Sequence, residues 1–141
     1  MVKISKNFDL NEFIHSDTAQ RLKIDNRPSV AIIDNIKWLV EAIMQPVRDK
    51  FGVVIVTSGF RCATLNKAVG GQSNSQHLIG QACDFIVRNA KPKDVFDYIR
   101  DNLDYDQLLF EYDSKGNRWI HVSHRHDGKN RKYAVFNYKS S

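Results

Sequence analysis

Apolar residues recur along this chain in two rhythms. After Asn26 and Pro28, the positions Val30, Ile33, Ile36, Trp38, Leu39, Val40, Ile43, Met44 and Val47 follow helical spacing, so a long helix is expected, ended by Gly52. Pro46 has no amide hydrogen to give and is expected to kink or loosen the last turn. Two short helices should precede it. One opens at the capping-box variant D-L-N-E (residues 9–12), and the other covers Asp17–Leu22. A short helix is expected over 62–69, and Val95, Phe96 and Ile99 mark another over Pro92–Asn102. The second rhythm is that of strands, at 53–57, Ala82–Val87, 106–112, from Trp119 through His121 onward, and 133–138. Helices first and strands after them predict an α+β fold, a mainly antiparallel sheet packed against helices. Without repeats, low-complexity tracts or Pro/Gly linkers, a single domain over 1–141 is expected.

One strand carries a residue foreign to a core. In A-C-D-F-I-V, Asp84 stands between apolar neighbours, where an unpartnered carboxylate costs several kcal/mol. Its partner must be an arginine such as Arg61, a hydrogen-bond network or a metal ion. Alternation puts Ala82, Asp84 and Ile86 on one face, and Cys83, Phe85 and Val87 on the other. In W-I-H-V-S the same rule separates Ile120 and Val122 from Trp119, His121 and Ser123. If the two strands are neighbours, Asp84 and His121 converge, with His77 arriving from the preceding loop. Two histidines and a carboxylate are a common ligand set for catalytic zinc, with a fourth position left to water. Taken singly, each has a plainer role: His121 hydrogen-bonded in a sheet, Asp84 paired with Arg61, His77 in a loop.

Composition narrows the setting. A chain of 141 residues builds a sizeable core without disulfides. Its net charge of +5 favours acidic partners, but the basic residues are scattered, and no nucleic-acid partner is expected. Cys62 and Cys83 form no C-x-x-C, which excludes a zinc finger or redox motif; two unpaired thiols are expected. The opening M-V-K-I-S-K-N-F-D-L-N-E-F has no apolar signal region, so synthesis in the cytoplasm without a signal peptide is expected. No stretch nears the roughly 18 apolar residues of a membrane span. A monomer with no stable membrane association is expected.

The stretch S-Q-H-L-I-G-Q-A-C-D, with S-G-F-R before it and W-I-H-V-S after it, resembles the M15 family of zinc peptidases. These are D-Ala-D-Ala carboxypeptidases and L-Ala-D-Glu endopeptidases of bacteria and bacteriophages, sharing a fold with the hedgehog signalling domain. F-D-L-N-E-F-I-H-S-D-T-A and D-Q-L-L-F-E resemble the small phage-type members, so the likeness runs from about Phe8 to Ser123. It implies a hedgehog/DD-peptidase-like domain with Zn2+ held by His77, Asp84 and His121. Gly80 would serve the tight turn after the first ligand, and Ala82 would leave space beside the metal. Arg61 would hold a substrate carboxylate or polarised carbonyl oxygen, or else anchor its turn. Ser75 would contact substrate or shape the loop. The general base departs from the pattern: where relatives carry an acid or a histidine shortly before the last ligand, this chain has Arg118 and Trp119. Glu111, brought back by a hairpin through D-S-K-G-N, is the expected base in preference to Asp113. His124 and His126 fall in a polar turn and are expected to be exposed; His15 has no evident chemistry. The implied function is hydrolysis of a peptide bond in peptidoglycan stem peptides, as carboxypeptidase or endopeptidase. A phage-type lysin would reach the cell wall after release. The alternative is a catalytically inactive, zinc-stabilised module that binds cell wall or protein.

Overall fold

The computed structural model describes residues 2–140. A small antiparallel hairpin, β1 (Lys3–Ser5) with β2 (Phe8–Asp9), comes first and was not expected from the sequence. It leads into α1 (Asn11–Ile14) and α2 (Asp17–Leu22). Half of the anticipated capping box forms: the Asp9 amide donates to Glu12 Oε2 at 2.8 Å. Ser16 caps α2, accepting from the Ala19 amide at 3.1 Å.

The long apolar stripe becomes one helical rod in three parts: α3 (Val30–Leu39), a π turn (Val40–Met44) and α4 (Gln45–Phe51). The irregularity lies in the turn before Pro46 rather than in the last one. A proline ring collides with the carbonyl four residues back in an α-helix, and a wider turn relieves that contact. Ile36, Leu39, Val40, Ile43, Met44 and Val47 are buried, whereas Val30 and Trp38 fall off the stripe and are exposed. After the rod come β3 (Val54–Ser58), α5 (Ala63–Ala68), a 3-10 turn (Gln76–Ile79), β4 (Ala82–Val87) and α6 (Pro92–Asn102). The chain ends with β5 (Gln107–Tyr112), β6 (Arg118–Ser123) and β7 (Tyr133–Lys139).

The five long strands form one sheet in the order β3-β4-β6-β5-β7. All neighbours are antiparallel except β5 and β7, which are parallel because the chain leaving β6 passes over β5 to reach the edge. The fold is α+β, a mostly antiparallel sheet packed on helices. Alternation gives the sheet two unlike faces. Cys83, Phe85, Leu108, Phe110, Ile120 and Val122 face the rod and α6, whose Val95, Phe96 and Ile99 complete the core. The opposite face carries Asp84, His121, Leu109 and Glu111 and lines a cleft.

Gly80 joins the two layers. Its φ of +75° is left-handed, and a Cβ there would lie 2.8 Å from the Ile32 carbonyl oxygen of α3. Gly80→Ala is therefore expected to lower stability by at least about 1 kcal/mol, read as a fall in the urea midpoint. An unchanged midpoint would mean that this turn does not pack against α3 as described.

Candidate metal centre

The pairing of β4 with β6 sets Asp84 directly opposite His121. Both lie on the cleft face, as alternation requires. His77 comes from the 3-10 turn. Ser75 caps that turn, its hydroxyl accepting from the His77 amide at 3.1 Å, and Gly80 closes it in the left-handed conformation. The His77 carbonyl accepts from the Arg61 amide at 3.0 Å, tying the turn to the S-G-F-R segment. In that segment Gly59 lies so close to α1 that a Cβ would fall on the Phe13 carbonyl oxygen, and only glycine allows the approach. His77, Asp84 and His121 offer one ligand atom each, all within 4.8 Å of one another.

The surrounding hydrogen bonds choose which atoms those are. His77 Nδ1 lies 2.7 Å from the Gly59 carbonyl and must carry the proton, so Nε2 turns its lone pair inward, 3.5 Å from Asp84 Oδ1. His121 has an acceptor at each nitrogen: Gln107 Oε1 at 3.1 Å from Nε2, and Asp84 Oδ1 at 2.9 Å from Nδ1. A neutral imidazole has one N–H, so both contacts are satisfied by an imidazolium, by a Gln107 amide turned to donate, or by a cation in place of the Nδ1 proton. In the last case Nε2–H donates to Gln107 and the cation lies between Nδ1 and the carboxylate. A metal ion in this position would meet His77 Nε2, Asp84 Oδ1 and His121 Nδ1. Each histidine is held by an outer acceptor, the arrangement typical of metal-binding imidazoles. Two nitrogens and an oxygen fit zinc.

Electrostatics single out the neighbours. Burial pushes the Asp84 carboxyl up, but with the facing histidines protonated the charge of His77 and the hydrogen bonds from His121 and His77 outweigh it and hold the group well below the usual carboxylate range. Glu111 moves the other way: burial raises it, and the negative charge of Asp84 raises it further. Glu111 Oε2 accepts from Trp119 Nε1 at 3.2 Å and stands 3.9 Å from His121 Nδ1. The two carboxylates, both facing His121 Nδ1, are thus shifted in opposite directions. Arg61 is partly buried; burial lowers its pKa while Asp84 and Glu111 support its charge. Its Nε is buried without a hydrogen-bond partner among the described residues, a donor aimed at no protein oxygen.

The cleft brings together Arg61, Ser75, His77, Asp84, Glu111 and His121. Asp84 Oδ1 lies 3.5 Å from His77 Nε2 and 2.9 Å from His121 Nδ1, and among the described residues it makes no salt bridge with Arg61. Asp113 is elsewhere: its carboxylate accepts from the Lys115 and Asn117 amides and the Asn117 side chain in the exposed β5–β6 turn. The expected exposure of His124 fails. That side chain is buried, and its Nδ1–H donates to the Asp104 carbonyl at 2.7 Å. His126 is exposed and stacks on Trp38, ring centroids 3.7 Å apart. His15 pairs with Asp17 at 3.0 Å. Cys62 and Cys83 are unpaired. The hold of Gln107 on His121 was not expected from the sequence; the shared parity of Gln107, Leu109 and Glu111 along β5 is the signal that points to it. Nor was Trp119 expected as the donor to Glu111.

Comparison with known proteins agrees with this geometry. The Peptidase M15 family pattern matches residues 6–123. The zinc D-Ala-D-Ala carboxypeptidase of Streptomyces albus G is 43% identical over 47 residues, 33% of this chain and 18% of that protein. The match thus spans under a fifth of that relative's length. With the family pattern covering most of its length and the donor set in place, this chain belongs to the Peptidase M15 family.

Proposed function

We propose that the chain is a zinc peptidase that hydrolyses a peptide bond in the stem peptides of bacterial peptidoglycan, as a carboxypeptidase or an endopeptidase. The observation that carries this reading is the convergence of His77, Asp84 and His121 with Glu111 on one cleft face. The relative's name, a zinc D-Ala-D-Ala carboxypeptidase, supports the substrate class. A net charge of +5 suits approach to an anionic wall polymer. In that role the protein acts at the cell wall, as a phage-type lysin would. No helix among the described residues is long and apolar enough to cross a membrane.

His77, Asp84 and His121 would hold the zinc ion, which when bound would supply Lewis-acid chemistry, polarising a carbonyl and acidifying water. Glu111 takes the proton of the attacking water at its carboxylate and passes it to the leaving amine. Its partly buried setting keeps its basicity above that of an exposed glutamate. Trp119 holds one oxygen of that carboxylate and leaves the other for the proton. Arg61 offers its unpartnered Nε to a substrate oxygen, a carboxylate or the carbonyl under attack. Ser75, whose hydroxyl is occupied by the His77 amide, acts through the shape of the ligand turn.

Purified protein should bind close to one zinc per chain, and Asp84→Ala should lower the affinity sharply in a chelator competition. Gln107→Leu removes the acceptor that orients His121 and should weaken binding by about 10- to 100-fold. Full occupancy in Asp84→Ala would mean that the ligand set is wrong. Glu111→Gln should keep zinc and fold while turnover of stem peptides falls by at least about a hundredfold. Asp113→Asn, confined to the hairpin turn, should change little. Mass spectrometry of the digested peptides identifies the bond cut. Zinc-loaded wild type that releases no fragment would instead favour a binding module.

A further inference from the structure

On the cleft face the strands align in rows. The metal-site row reads Asp84, His121, Leu109 and Val135 across β4, β6, β5 and β7. The next row is Trp119, Glu111 and Tyr138. Strict alternation along β7 would give that last place to Asn137, since Tyr133 stands opposite Gln107 and Val135 opposite Leu109. The register shifts instead: Phe136 pairs with Phe110, and Tyr138 pairs with Glu111. Asn137 is the extra residue, held at a φ of 68°, a left-handed conformation that costs free energy even for asparagine. This is a β-bulge, a device that re-aims a side chain. Without it Tyr138 would follow Phe136 onto the core face. With it Tyr138 lines the cleft and stays 40% exposed. The strand end is then fastened by the Ser140 amide to the Tyr112 carbonyl at 2.9 Å.

The bulge falls at the one row that contains Glu111, and it leaves that carboxylate with an aromatic ring on each side. Most of the cleft is lined by polar groups. Leu109, Trp119 and Tyr138 gather apolar surface around Glu111. Trp119 and Tyr138 stand two strand spacings apart, about 10 Å, on either side of Glu111, so that apolar surface next to this carboxylate is confined and suits a small side chain. We infer that Tyr138 is a substrate-contacting residue whose ring, with Trp119 and Leu109, forms an apolar subsite beside Glu111 for the methyl side chain of an alanine flanking the bond that is cut. The inference rests on the peptidase reading given above. It concerns a residue beyond the stretch matched by the family pattern, which ends at 123.

The test uses the zinc-loaded full chain and a synthetic stem pentapeptide containing both the L-Ala–D-Glu and the D-Ala–D-Ala bonds. Analogues replace each alanine in turn by glycine or leucine. Wild type should cleave the alanine peptide and discriminate against glycine and leucine at one flanking position. Tyr138→Ala should raise KM at least tenfold, change kcat less than threefold and abolish that discrimination, with an unchanged melting temperature. Tyr138→Phe, which keeps the ring, should restore the discrimination. Deletion of Asn137 removes the extra residue and leaves Tyr138 directly after Phe136, opposite Glu111 in regular alternation, so it should keep the wild-type discrimination. An active wild type whose KM and alanine preference survive Tyr138→Ala would overturn the inference and leave the peptidase reading standing. A wild type that cleaves neither bond would overturn the peptidase reading and this inference with it.

Discussion

The cleft is organised around one costly placement, the carboxylate of Asp84 in the middle of an otherwise apolar strand. A charge there is tolerated only with close partners, because desolvation alone costs several kcal/mol. The partners are two histidines reached by different routes. His121 stands opposite on the neighbouring strand, while His77 is delivered by a 3-10 turn. Each is locked by an acceptor behind it, the Gly59 carbonyl or the Gln107 amide oxygen. Three inward-facing donor atoms within 4.8 Å of one another make a site that could hold a metal ion, with the Arg61 guanidinium at the edge of the same cleft.

The rest of the fold holds these groups still. The helical rod buries one face of the sheet, so β4 and β6 cannot slip by one residue without exposing Phe85 and Ile120 and sending Asp84 and His121 into the core. Gly59 and Gly80 let the ligand-bearing segments touch α1 and α3 at distances that no side chain permits. Precision at the metal site is thus inherited from packing on the far side of the sheet.

Much of this was legible in the sequence, and the exceptions share a cause. The rod, β4, α6 and the opposite facing of Asp84 and its core neighbours follow from periodicity, a local property. Pairing is not local. The parallel partnership of β5 with β7 depends on where the chain lands after leaving β6. The burial of His124 depends on the Asp104 carbonyl twenty residues away. Alternation also fails wherever one residue is added. The bulge at Asn137 leaves no mark in the hydrophobic pattern, yet it reverses the facing of Tyr138. The π turn before Pro46 was anticipated as an irregularity but misplaced by a turn, because relief of the proline contact falls on the preceding carbonyls.

Asp84 and the two histidines are proposed to hold the metal, His77 through Nε2 and His121 through Nδ1. A crystal structure of the zinc-soaked protein, with anomalous data at the zinc edge, tests this assignment most directly. The predicted result is one strong peak about 2.0–2.1 Å from those two nitrogens and at a similar distance from an Asp84 oxygen, with Nε2–H of His121 still on Gln107. A peak elsewhere, or coordination through His121 Nε2, would contradict it.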